Sequence, residues 1–254
     1  MILPVERHGV ALPAGALALV LHLPRGVDLV PCVVACHGLR ASKDSDKYLL
    51  LGEAFTAAGL ALARFDFRGS GESEGLAEED TTVASRVEDV LAVFAFLRDH
   101  ARMDGRFGLL GSSLGGFVAL HARQALAEPI PVVTWNAPAS LTELANDVSI
   151  EESGLGVAFA IEFSLGAYAL APRGLGRHLV IQAEADDVVP LEHGIVLHSH
   201  AVEPCDLVIM PGADHRLTDM GHRREAVARS LAWFQRFLPG VVGAAAARQS
   251  GAAS

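Results

Sequence analysis

Cysteine is scarce in this 254-residue chain. Cys32, Cys36 and Cys205 form no Cys-x-x-Cys pair, and their odd number argues against a disulfide framework. The expectation is free, buried thiols in a reducing compartment. Positive charge is also in short supply. Lys and Arg number 20 against 30 Asp and Glu, for a formal charge of −10, whereas a nucleic-acid surface needs clustered cations. No long hydrophobic run is present either. The longest, residues 154–170, is interrupted by Glu162 and broken by glycines, too short to span a bilayer. Ala11–Leu21 is apolar, but Pro4, Glu6 and Pro13 spoil the layout of a signal peptide, and the stretch reads better as two strands. A cytoplasmic protein with no membrane span and no nucleic-acid partner is expected. There are no internal repeats, and the oligomeric state is left open.

What is present is alternation. About half of the residues are apolar, enough for one sizeable domain. Ala16–Leu23, Val30–Cys36, Leu60–Phe67, Arg106–Leu110, Ile130–Trp135, His178–Ala183 and Cys205–Met210 read as strands. Between them lie helical patterns at Lys47–Ala58, Thr82–His100, Leu114–Ala127, Leu191–Val202 and Arg223–Leu238. In Thr82–His100 the apolar face is Val83, Val87, Val90, Leu91, Phe94 and Leu97. Such alternation implies an α/β class fold, a mostly parallel sheet with helices on both faces. Ligands of these sheets sit beyond the carboxyl ends of the strands. Residues 137–177 break the rhythm with an acidic half and an apolar half, and read as an insertion lying over the site. The tail after Pro239, rich in Ala, Gly and Ser, reads as disordered.

Two Gly-x-Ser-x-Gly matches occur, at Gly71–Gly75 and Gly111–Gly115. The motif puts a serine on a sharp strand-to-helix turn, so context decides between them. Ser113 follows the strand Phe107–Leu110 and opens the helix at Leu114, whose amino end favours a developing anion. Ser73 sits between Glu72 and Glu74, which would repel that anion, and no helix follows it directly. Ser113 is the candidate nucleophile and Ser73 a turn residue. A serine nucleophile needs a general base and a carboxylate that fixes the base's tautomer. After the strand at 178–183 come Asp186 and Asp187; after the strand at 205–210 comes His215, with His222 a nearby substitute. His193, His198 and His200 share one helix pattern, and no histidine cluster with metal-ligand spacing is legible, so no metal is expected.

The pieces His37-Gly38, Phe65-Asp66-Phe67-Arg68-Gly69-Ser70-Gly71-Glu72-Ser73, the Ser113 turn, Asp186-Asp187-Val188-Val189-Pro190 and Gly212-Ala213-Asp214-His215 together resemble the α/β-hydrolase superfamily. Within it the chain is most similar to small serine esterases and serine aminopeptidase-like hydrolases, including cinnamoyl and feruloyl esterases, over residues 16–238. The resemblance implies Asp186, with Asp187 as the alternative, as third member of a Ser113–Asp186–His215 triad. It also implies an oxyanion hole from the Leu39 and Leu114 amides, a His37 ring that braces the oxyanion loop, and an Asp66 that shapes a loop. No cofactor is implied. The expected activity is hydrolysis of a small-molecule carboxylic ester with a hydrophobic or aromatic acid, through an acyl-enzyme. A peptidase or amidase of the same fold, or a non-catalytic binding protein, is the alternative. Phe159, Phe163 and Tyr168 in the insertion, with Ile161 and Leu165, are candidates to cover an acyl pocket or else ordinary core.

Overall fold

Strand β3 (Val30–Cys36) shows why the middle of this chain forms a sheet buried on both sides. All seven residues are buried. Val30, Cys32, Val34 and Cys36 enter one core, while Val33 and Ala35 enter another. A strand with apolar residues on both faces belongs inside a parallel sheet covered by helices. The computed structural model describes residues 5–76, 81–144 and 156–239. Its eight strands are β1 (Val5–Leu12), β2 (Gly15–His22), β3, β4 (Ala61–Phe65), β5 (Met103–Ser112), β6 (Val132–Trp135), β7 (His178–Ala183) and β8 (Cys205–Met210). Their spatial order is β1-β2-β4-β3-β5-β6-β7-β8. The β1–β2 and β2–β4 pairs are antiparallel, and the rest of the ladder is parallel.

Helices α1 (Asp46–Ala57) and α7 (Met220–Phe237) cover one face, where Tyr48, Leu51 and Phe55 meet Val227, Trp233 and Phe234. Helices α2 (Val83–Arg98), α3 (Leu114–Leu126) and α6 (Leu191–His200) cover the other, through Val90, Phe94, Phe117, Val118 and Leu197. Two short helices, α4 (Leu141–Leu144) and α5 (Val157–Ser164), fall within residues 137–177. Each large apolar side chain fully buried in these layers contributes about 1.5–3 kcal/mol. Among the described residues no helix is long and apolar enough to cross a membrane.

Three boundaries differ from the sequence reading. The first strand starts at Val5, ahead of the stretch read as strands, because Glu6, His8 and the other polar residues of an edge strand hide its alternation. β5 starts at Met103 rather than Arg106; the Asp104–Arg106 ion pair makes its beginning look like a loop. β4 ends at Phe65, since the Phe67 N–H leaves the ladder and donates to His37 Nε2 at 3.1 Å. Residues 145–155, most of the acidic half of the insertion, and the tail 240–254 lie outside the described residues. In the apolar half, Phe159 is buried in the core, and Phe163 and Tyr168 pack partly against it. The rings of Phe159 and Phe163 stack at 6.5 Å, and Tyr168 meets His121 edge-on at 4.9 Å. Ile161 and Leu165 are exposed.

Candidate active site

Ser113 links β5 to α3 as the helix cap, with φ 56° and ψ −130°. A non-glycine residue there stores about 1–3 kcal/mol of strain. The strain persists because the turn is pinned on both sides. The Ser113 N–H donates to Trp135 O at 2.8 Å, and its carbonyl accepts from Gly116 N at 2.8 Å. The flanking glycines are required by close approach. A Cβ on Gly111 would fall 2.2 Å from Gly115 O, and one on Gly115 would fall 2.3 Å from Cys36 O. The sequence constraint of the turn is therefore steric, and its consequence is a hydroxyl raised above the carboxyl edge of the sheet.

His215 follows β8 and reaches that hydroxyl, with Nε2 3.0 Å from Ser113 Oγ. Its Nδ1 lies 2.8 Å from Asp186 Oδ2 and 3.0 Å from Oδ1. Asp186 is buried, while its neighbour Asp187 is exposed and makes no such contact. The Asp186 carboxylate is itself held: Oδ1 accepts from Val188 N at 2.9 Å and Val189 N at 2.7 Å. Three residues up to 102 positions apart are thus joined in one chain of hydrogen bonds. The alternatives are elsewhere. His222 faces Asp219 at 4.0 Å on the first turn of α7. Ser73 accepts from Ala18 N at 2.8 Å and donates to Asp66 O at 2.6 Å, tying its loop to β2.

The loop after β3 runs past Ser113, close enough that a Cβ on Gly38 would lie 3.1 Å from Ser113 Cβ. His37 is buried under it, with Nε2 accepting from Phe67 N and Nδ1 donating to Gly38 O at 2.8 Å. Burial, then the nearby Arg86 charge, lower its pKa to about 4, so the ring stays neutral. A trans peptide points its N–H opposite to its C=O. Fixing Gly38 O on the ring therefore turns the Leu39 N–H away from it. Leu114 N is the first amide of α3, one of those with no intrahelical acceptor. Asp66 braces the same loop, accepting from Lys43 N at 2.7 Å, Lys43 Nζ at 2.8 Å and Glu72 N at 2.9 Å.

Two participants escaped the sequence. Asn136, just after β6 at φ 50°, donates through Nδ2 to His215 O at 2.9 Å and accepts at Oδ1 from Ala183 N at 2.8 Å. It fastens the histidine loop to the sheet. A buried Asn directly after an apolar strand was the only sequence signal, and it is a weak one. Lys47, one of only two lysines, donates to Ser112 Oγ at 2.7 Å beside Ser113. Burial, with the Arg223 and Arg216 charges, lowers its pKa to about 8.

A mostly parallel sheet with a serine turn, a carboxylate after β7 and a histidine after β8 is the arrangement of the α/β-hydrolase fold. Residues 29–149 match the family model described as serine aminopeptidase, S33. The chain is 29% identical over 182 residues to the mitochondrial palmitoyl-protein thioesterase ABHD10 of Homo sapiens, a match covering 72% of this chain and 56% of that protein. The stretches matched span 37% and 56% of the lengths of the first curated relatives. The structure of alpha/beta hydrolase domain-containing protein 10 from mouse superposes with a TM-score of 0.74 at 20% identity, covering 92% of this chain and 99% of that one. Est1E from Butyrivibrio proteoclasticus, solved with ferulic acid bound, gives 0.71 at 16% identity over 91% of this chain and 99% of its own. At these identities the structural likeness is one of fold.

Proposed function

We propose that this chain hydrolyses carboxylic esters or thioesters of apolar acyl groups through an acyl-enzyme on Ser113. The observation that carries the reading is the continuous hydrogen-bonded path from Ser113 Oγ through His215 to Asp186. His215 Nε2 takes the serine proton as Oγ attacks the carbonyl carbon. The Leu39 and Leu114 amides receive the oxyanion, helped by the positive end of α3. His215 returns the proton to the departing alcohol or thiol, and then activates water to release the acid. Asp186 holds the imidazole with its proton on Nδ1 throughout. The thioester part of the proposal rests on the likeness to ABHD10. The apolar acyl group rests on Phe163 and Tyr168, which pack only partly against the core and leave apolar surface as a wall for that group.

The test is a panel of matched butyryl and octanoyl esters, thioesters and anilides, with hydroxycinnamate esters included. The expected order is ester and thioester well above anilide, and octanoyl above butyryl. Anilide cleavage at rates matching the ester would instead support the peptidase reading. No turnover of any activated ester would support a binding protein.

The supporting residues give two further expectations. Asn136→Ala leaves the Ala183 N–H unpaired, at a cost of about 1–3 kcal/mol, and frees the histidine loop. A misplacement of about 1 Å at the reacting atoms is worth up to ~10²-fold. The variant should lose roughly 10- to 100-fold in kcat/KM with KM little changed, read by steady-state kinetics beside a melting curve. Lys47 titrates near 8 when folded against 10.5 when free. Between those values the unfolded chain binds more protons, so this group's contribution makes stability rise with pH. Relative to Lys47→Met, the native chain should therefore gain stability from pH 7 to pH 10 in denaturant titrations. An unchanged difference across that window would contradict the assignment.

A further inference from the structure

Away from the serine, at the edge of the sheet, three metal-ligating side chains meet. Glu6 and His8 are two residues apart on β1 and therefore project from the same face. His100 arrives from just beyond the carboxyl end of α2. Glu6 Oε2 lies 3.1 Å from His8 Nε2 and 3.1 Å from His100 Nε2. The three ligand atoms all lie within 4.8 Å of one another, and no other such grouping occurs among the described residues. The imidazoles are set edge to face, 5.5 Å between centroids, and Phe96 packs against both. Side-chain exposures of 26%, 40% and 14% for His8, Glu6 and His100 leave the cluster open to solvent on one side.

We propose that Glu6, His8 and His100 form a binding site for a divalent transition-metal ion of the zinc type, separate from the hydrolytic site. Two imidazoles and a carboxylate are a ligand set that zinc uses with water in the fourth position. With metal–ligand bonds of 2.0–2.1 Å, the edge of a tetrahedron is about 3.3 Å, so the two 3.1 Å separations need almost no adjustment. The competing reading is that the Glu6 carboxylate only accepts two N–H hydrogen bonds. The two readings differ in where protons sit. His100 Nδ1 accepts from Arg102 N at 3.2 Å, which fixes the metal-free tautomer with its proton on Nε2. Metal at Nε2 moves that proton to Nδ1 and breaks the Arg102 contact. The ion would tie the edge strand to α2 and occupy groups that otherwise mark an exposed sheet edge.

The experiment titrates untagged, chelator-treated protein at ~10 µM, where a micromolar site is half filled or better, with zinc by calorimetry and with cobalt(II) by visible absorption. One equivalent of zinc, tetrahedral cobalt bands, and loss of both in His8→Ala and His100→Ala are expected. Glu6→Gln should weaken binding at least tenfold. His198→Ala is the control and should bind as the native chain does. A second measurement on the native chain avoids dependence on variant folding: nitrogen-15 spectra of the His100 ring should show the proton pass from Nε2 to Nδ1 on adding zinc. Binding that survives both histidine substitutions overturns the proposal. So does a native chain that takes up no zinc at millimolar concentration, or an unchanged His100 tautomer in zinc-saturated protein.

Discussion

Ser113→Ala should abolish ester turnover and labelling by a fluorophosphonate, while the fold and melting behaviour stay close to native. Removing a triad nucleophile costs about 10⁴–10⁶ in turnover, and no neighbouring hydroxyl is placed to substitute. Ser112 precedes it, but its Oγ is held by Lys47 Nζ at 2.7 Å. Ser73, the serine of the second Gly-x-Ser-x-Gly match, is committed to Ala18 and Asp66 at the far side of its loop. The paired control follows from that geometry. Ser73→Ala should keep full labelling and lose stability, by about 1–3 kcal/mol for the two neutral hydrogen bonds removed. Mass-spectrometric mapping of the adduct reads the outcome. Labelling at any other residue, or native turnover in Ser113→Ala, ends the acyl-enzyme reading.

Asp186→Asn is the second large effect, and its sign comes from the two backbone donors. Asp186 Oδ1 accepts from Val188 N and Val189 N. An asparagine in that place keeps its carbonyl oxygen on those donors and turns its amide nitrogen toward His215 Nδ1. Nδ1 must then accept, so the ring proton moves to Nε2 and the ring can no longer take the serine proton. Turnover near neutral pH should fall by about 10⁴, with geometry preserved in a crystal structure of the variant. Asp187→Asn changes an exposed residue beside it and should leave kcat/KM within about twofold. If the two variants behave alike, the carboxylate assignment fails.

These variants also mark where sequence reasoning stops. The Ser113 turn was legible because it is a local feature: an apolar strand, a small-residue turn and a helix follow one another directly along the chain. The choice of Asp186 over Asp187 rested on the resemblance alone, since adjacent aspartates have the same chemistry. Only the turn that buries one beneath His215 separates them. The sequence fits Phe159, Phe163 and Tyr168 equally to a pocket wall or to core, and Phe159 packs in the core. β1 was missed in part because Glu6 and His8 carry its inward face. Asn136, Lys47 and the Glu6–His8–His100 cluster were missed because their partners lie 79, 65 and 94 positions away.

By itself the sequence determined the order of strands and helices, the two-sided apolar burial of the central strands, and the tight glycine turn that carries Ser113. All three are set by interactions among residues close along the chain: side-chain period, backbone sterics and helix starts. Tertiary structure decided how one carboxylate is buried against His215, how His37 orients the Gly38–Leu39 peptide, and what gathers at the sheet edge. Those depend on crossover connections that bring distant segments within hydrogen-bond range, a distance that no local pattern encodes.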